Sequence, residues 1–202
     1  GVKIWAVDMP GKDNVASLTN GFTEYTHTGP FYIDNVLPTA GTLITTAIDE
    51  EGERTNYSAK EGIDVENDDD SATNPEWTNG DVYIELVQGS DTNKDSDYYQ
   101  ETKYTVYHKN LEDEEYSIYI NSNGETLENK TTSTTLNETG RYKIIVTTKD
   151  CAENISTREY WVYIDKTTPT RPQVTSSSNG QWTNQNITVT MAGSSDAHSG
   201  FH

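Results

Sequence analysis

The sequence predicts an all-β chain folded as an antiparallel sandwich. Three observations carry that reading. β-Branched and aromatic residues, with Thr and Tyr abundant among them, fall at alternate positions in several short runs. Most of those runs are bounded by Gly, Asn, Asp or Pro. No segment shows a convincing amphipathic-helix pattern, and many short strands separated by polar turns pack as two sheets.

Taken in order along the chain, the first clear strand is 81–86, where Val82, Ile84 and Leu86 share one face and Asp81, Tyr83 and Glu85 the other. The same alternation picks out 103–108, 116–120, 142–148 and 160–164. Asn123-Gly124 then marks a tight turn after the third of these strands. One buried face per strand gives an expected core of Val82, Ile84, Leu86, Tyr104, Val106, Ile118, Ile120, Tyr142, Ile144, Val146, Val162 and Ile164.

The composition limits how large that core is and which partners it meets. Of 202 residues, 14 are Lys or Arg and 33 Asp or Glu, so the formal charge is 14 − 33 = −19. Such a surface repels phosphates and anionic lipid, and no clustered basic stripe overrides it, so nucleic acid and membrane insertion are set aside. The hydrophobic class is 32% of residues, which predicts a thin core. No apolar run approaches the roughly 18 residues of a membrane helix. An opening Gly1 without Met or a basic leader predicts a soluble fragment or a processed product. Cys151 is the single cysteine, which rules out an intrachain disulfide and a Cys-rich zinc site.

The chain repeats itself. Phe31-Tyr-Ile-Asp-Asn-Val-Leu-Pro-Thr39 parallels Val162-Tyr-Ile-Asp-Lys-Thr-Thr-Pro-Thr170, with Tyr, Ile, Asp, Pro and Thr at the same spacing. Each copy is followed by Trp-Thr-Asn, at Trp77 and Trp182, and then by Ser-Asp, at Ser90-Asp91 and Ser195-Asp196; both Trp-to-Asp separations are 14. A looser match precedes each copy, Ile4 to Asp8 with Asn14 against Val146 to Asp150 with Asn154. Pro38 to Trp77 spans 39 residues and Pro169 to Trp182 spans 13, so the middle copy holds an insertion of 26. The acidic stretch 48–75 is its expected place, as a surface excursion away from the core.

These residues resemble the bacterial Ig-like domains that stand in tandem on large exported, adhesin-like cell-surface proteins. In that family a domain closes on Ile-Asp-Lys-Thr-x-Pro-Thr and the next opens beyond it. Residues 164–170 match that junction, and Ile33 to Thr39 match it with Asn35-Val36 in place of Lys-Thr. The family's strand-end Asp-x-Ala-Gly-Asn is similar to Asp150-Cys-Ala-Glu-Asn154, with Glu153 for Gly. Its early strands resemble Trp182-Thr-Asn184 and Ser195-Asp196-Ala-His-Ser199-Gly200. The resemblance implies an immunoglobulin-like sandwich in tandem: C-terminal strands of one domain at 1–35, a complete domain at 36–165, and N-terminal strands of a further domain at 166–202. Each junction Pro fixes φ and donates no hydrogen bond, which ends the preceding strand.

The implied function is non-catalytic, a structural or adhesive spacer of an extracellular bacterial surface protein. Its partners would be neighbouring Ig-like domains of the same or adjacent chains and a host or cell-surface glycan or protein. Two further readings stand beside it: a filament subunit assembled head-to-tail by strand complementation, and a carbohydrate-binding module of a secreted enzyme. No catalytic residue is assigned. Among 33 acids, neighbours such as Glu112 and Asp113 arise by chance, and His27, His108, His198 and His202 lack ligand spacing. Calcium is the one cofactor considered, because it accepts hard oxygen donors in loops. Asp91, Asp95 and Asp97 in one turn are the candidate ligands, and Asp8, Asp34, Asp150 and Asp165 stand at strand ends near the junctions. Tyr98, Tyr99 and Trp161 are the candidate sugar-binding aromatics.

Overall fold

The computed structural model describes residues 34–62, 76–91, 101–110, 112–196 and 199. The chain divides into two compact units, Gly1–Ile33 and Asp34–His202, and the described residues all belong to the second. They form strands and turns with no helix.

One sheet is built from β1 (Thr42–Ile48), β2 (Arg54–Asn56), β5 (Asp81–Val87) and β8 (Thr134–Leu136), in the order β2-β1-β5-β8. The other holds β3 (Lys60–Glu61), β10 (Ile155–Ile164), β9 (Gly140–Lys149), β6 (Glu101–Lys109) and β7 (Ser117–Ile118), with β4 (Trp77–Thr78) on β10. Every pairing is antiparallel except β4 with β10, which is parallel. A separate hairpin joins β11 (Gln173–Ser176) and β12 (Val189–Ala192).

The two sheets meet face to face. Val82, Ile84 and Leu136 from the first and Tyr104, Val106, Tyr142, Ile144, Val146, Val162 and Ile164 from the second form one buried cluster. Period-2 alternation explains this along β6 and β9, where every second residue is buried.

Four local outcomes differ from the alternation. Ile120 is 56% exposed and Ile118 half-buried, while Tyr119 between them is buried. Tyr107 pairs with Ile118, and the Tyr119 amide donates to the Val106 carbonyl (2.9 Å), so Tyr119 falls on the inward face beside Val106. Its hydroxyl donates to Asn137 Oδ1 (3.1 Å), which removes the cost of burying the phenol. Leu86, near the strand end, is only partly buried.

The insertion is also more than a surface excursion in its described part. β2 extends one sheet and β3 the other. Tyr57 and Ala59 between them pack against the core cluster. The Tyr57 hydroxyl donates to the Glu76 carbonyl (2.9 Å) and accepts the Tyr163 amide (3.1 Å). A sequence rich in Asn, Asp and Glu hides this role, because one aromatic and a few backbone pairings suffice for it. Residues 63–75 lie outside the described residues.

β10 is buried on both faces at its C-terminal half. Tyr160, Val162 and Ile164 enter the core; Trp161 and Tyr163 face the other way, under an aromatic layer of Tyr116 and Trp77 with Lys143 and Arg141 beside the rings. Trp161 is 1% exposed, so its ring is a packing residue and presents no platform for a sugar. Tyr98 and Tyr99 lie outside the described residues.

Candidate metal centre

The inward row of β9 reads Tyr142, Ile144, Val146, Thr148, and then Asp150 just past the strand, all buried. The core thus grades from apolar through hydroxyl to carboxylate toward one pole. At the hydroxyl level Thr148 and Thr102 share a hydrogen bond (3.0 Å), Thr148 Oγ1 accepts the Gly41 amide (2.9 Å) and Thr102 Oγ1 accepts the Gly89 amide (3.0 Å). Both glycines are fixed by close approach. A Cβ on Gly41 would stand 2.5 Å from Thr102 Cγ2, and one on Gly89 would stand 2.3 Å from the Thr39 carbonyl oxygen.

Beyond that layer, three carboxylates converge. Asp34 precedes β1, Asp91 follows β5 and Asp150 follows β9, and one oxygen from each lies within 4.8 Å of the others. Asp91 and Asp150 are buried and Asp34 is half-buried. The Thr39–Ser90 bridge, closed by amide-to-carbonyl bonds of 2.6 and 3.1 Å, brings the approach to β1 alongside the end of β5.

Local turns aim the acids. Asp34 Oδ1 accepts the Val36 amide (2.9 Å), and Asp150 Oδ1 accepts the Asn154 amide (2.8 Å). The Asn154 side chain donates to Asp150 Oδ2 (2.8 Å) and to the Asp34 and Val36 carbonyls (both 3.2 Å). Asn154 therefore ties the β9–β10 turn to the segment that leads into β1. Glu153 completes the turn at φ 71°, in the left-handed region that favours Gly.

Three like charges this close repel by about 3 kcal/mol per pair at an effective dielectric near 20. Hydrogen bonds offset part of that, and a divalent cation among the three would reverse its sign. Desolvation and the charge of Asp150, with smaller contributions from Asp34 and Asp91, push the neighbouring Cys151 thiol above its ordinary value against the downward pull of a backbone hydrogen bond. The donor set is all carboxylate, on strand-end turns, which suits a hard cation with flexible coordination and fits calcium.

Of the acids singled out on sequence, Asp91, Asp34 and Asp150 come together here, while Asp95 and Asp97 lie outside the described residues. Asp165 stands elsewhere, where Ile164 pairs with Gly140 at the opposite end of β9. It accepts the Thr167 amide (2.9 Å) and hydroxyl and the Ser199 amide (3.1 Å). Burial raises its carboxyl, and these hydrogen bonds outweigh burial and hold it below the usual range.

No family model, curated protein or solved structure matches this chain.

Proposed function

We propose that this chain is a non-catalytic spacer of an extracellular bacterial surface protein, with calcium held at Asp34, Asp91 and Asp150 to stiffen one junction. The observation that carries this reading is the position of the two junction segments. Asp34 lies beside Asp150 and Asn154 at one end of β9, and Asp165 lies beside Gly140 at the other. A ten-residue strand between them spans about 33 Å. A unit that takes in the chain at one pole and releases it at the other extends an array with each domain added.

The immunoglobulin-like assignment belongs to the same proposal and has two supports. The sheet holding β1, β5 and β8 faces the sheet holding β6, β9 and β10, the division by which Ig sandwiches set A, B and E against C, F and G. Tyr142, near the start of β9, donates its hydroxyl to the Glu138 carbonyl (2.8 Å) and accepts the Glu138 amide (3.1 Å), as the tyrosine corner of Ig domains does.

Stretching the chain through its two ends in a single-molecule instrument tests the spacer reading. The expected record has one cooperative step whose length gain matches release of residues 34–165, at roughly 3.5 Å per residue. Gradual extension without such a step would contradict it.

A further inference from the structure

The basic residues are scattered along the sequence, and the second sheet gathers many of them on its outer side. At the outward positions of β3, β6, β9 and β10 stand Lys60, Lys103, Lys109, Arg141, Lys143 and Lys149, six of the chain's 14 Lys and Arg. The same positions hold two of its 33 acids, Glu101 and Glu159. A chain of net charge −19 thus carries one face on which cations outnumber acids.

Aromatic packing fixes several of these cations. Trp161 and Tyr163 lie buried in the face. Lys143 Nζ stands 5.3 Å from the Trp161 ring centre, and the Arg141 guanidinium 5.4 Å from that of Tyr163 and 5.9 Å from that of Trp77. Lys109 Nζ stands 5.7 Å from the ring centre of Tyr116. Cations held over rings lose less freedom when an anion arrives. Lys103, Lys143 and Lys149 each pair with a glutamate. Among the described residues no carboxylate pairs with Lys60 or Lys109.

The complementary charge stands on the β1–β2 turn, Asp49-Glu50-Glu51-Gly52-Glu53. The Asp49 carboxylate is used within the turn, where it accepts the Glu51 (3.0 Å) and Glu53 (2.7 Å) amides, and Gly52 takes φ 82°. Glu50, Glu51 and Glu53 are exposed on this fixed turn, with no basic partner among the described residues. The turn belongs to the first sheet, while the cations stand on the outer side of the second, with the core between them. Its glutamates therefore reach such a face only on another molecule.

We propose that the outer face of the second sheet is a docking surface for a second copy of this chain, which sets its Asp49–Glu53 turn among Lys60, Lys109, Arg141 and Lys143. Arg141 and Lys143 are about 7 Å apart along β9, and Lys60 stands two strands from Lys143, about 10 Å, so a turn two strands wide fits between them. The acidic loop at 112–115 borders the Lys109 end, so the face accepts a narrow acidic projection and repels a broad acidic surface. Contact pairs persist at physiological ionic strength, while net charges farther apart than the Debye length of about 8 Å are screened. The contact needs neither the calcium centre nor the spacer reading, and its failure would leave both untouched.

Sedimentation velocity on the 202-residue chain across a wide concentration range tests it. The wild-type chain should associate at about 0.15 M salt, and at least about tenfold more weakly at about 1 M, where the screening length is about 3 Å. E50K/E51K in the turn and K60E/K109E on the face should each keep the thermal transition of the wild-type chain and weaken self-association at least about tenfold. Mixed in equal amounts, the two variants should associate again, because the intact turn of one then meets the intact face of the other. If K60E/K109E loses its thermal transition, E50K/E51K decides alone, since it lies wholly in an exposed turn. A wild-type chain that stays monomeric, association unchanged by salt or by a folded variant, or a mixture of folded variants that stays apart would each overturn the proposal.

Discussion

Glu153 sits at φ 71°, a conformation that costs a side-chain-bearing residue about 1 kcal/mol or more. Its ion pair with Lys149 (3.0 Å) is exposed and returns little. Glu153→Gly should therefore stabilise the fold by up to about 1 kcal/mol, read as a higher urea midpoint. His108 makes the opposite kind of demand. Burial lowers its pKa below 6.5, against weaker upward pulls from the Thr139 carbonyl, Glu138 and Asp113. The rings of Tyr119 and Tyr142 pack on it, and Gly140, at φ 147°, passes so close that a Cβ would stand 2.3 Å from Nε2. The unfolded chain takes up a proton as pH falls through about 6.5, before the folded chain does, so stability is full above that pH and declines below it. Urea midpoints measured from neutral to mildly acid pH should show this decline, and His108→Gln should flatten it.

At the scale of elements, the strands with strict alternation were legible because each packs one face on the core, and 81–86, 103–108 and 142–148 all lie within observed strands. Alternation misleads where a tyrosine competes with isoleucines. In 116–120 hydropathy favours Ile118 and Ile120, yet pairing with β6 turns Tyr119 inward. Tyr119→Ala should cost about 3–5 kcal/mol and Ile120→Ser less than about 1, in denaturant unfolding. Equal costs would contradict the assigned register. The insertion misleads in a similar way. Its composition signals a loop, but the Tyr57 hydroxyl accepts the Tyr163 amide of β10 and donates to the Glu76 carbonyl, and Tyr57→Phe, which removes both hydrogen bonds, should cost about 1–3 kcal/mol, measurable in the same way.

For the molecule as a whole, the repeat was legible as spacing, and it holds as geometry in two antiparallel strand pairs of matching register, β1 with β5 and β11 with β12. The acid cluster was legible only in its members. Asp34, Asp91 and Asp150 stand far apart in sequence, and their convergence depends on β1 pairing with β5 and on the β9–β10 turn reaching back to residues 34–36, long-range facts that no local pattern encodes. If this cluster makes one pole of a spacer a calcium-stiffened junction, calcium must stabilise the folded chain through it. Thermal unfolding of the 202-residue chain with and without calcium, beside Asp91→Asn, measures that stabilisation. A cation bound only by the folded chain adds about 2.7 kcal/mol at a hundredfold excess over Kd, so Tm should rise by several degrees in the wild-type chain and much less in Asp91→Asn. The same Tm with and without saturating calcium, or an equal rise in the variant, would contradict a calcium junction at this pole.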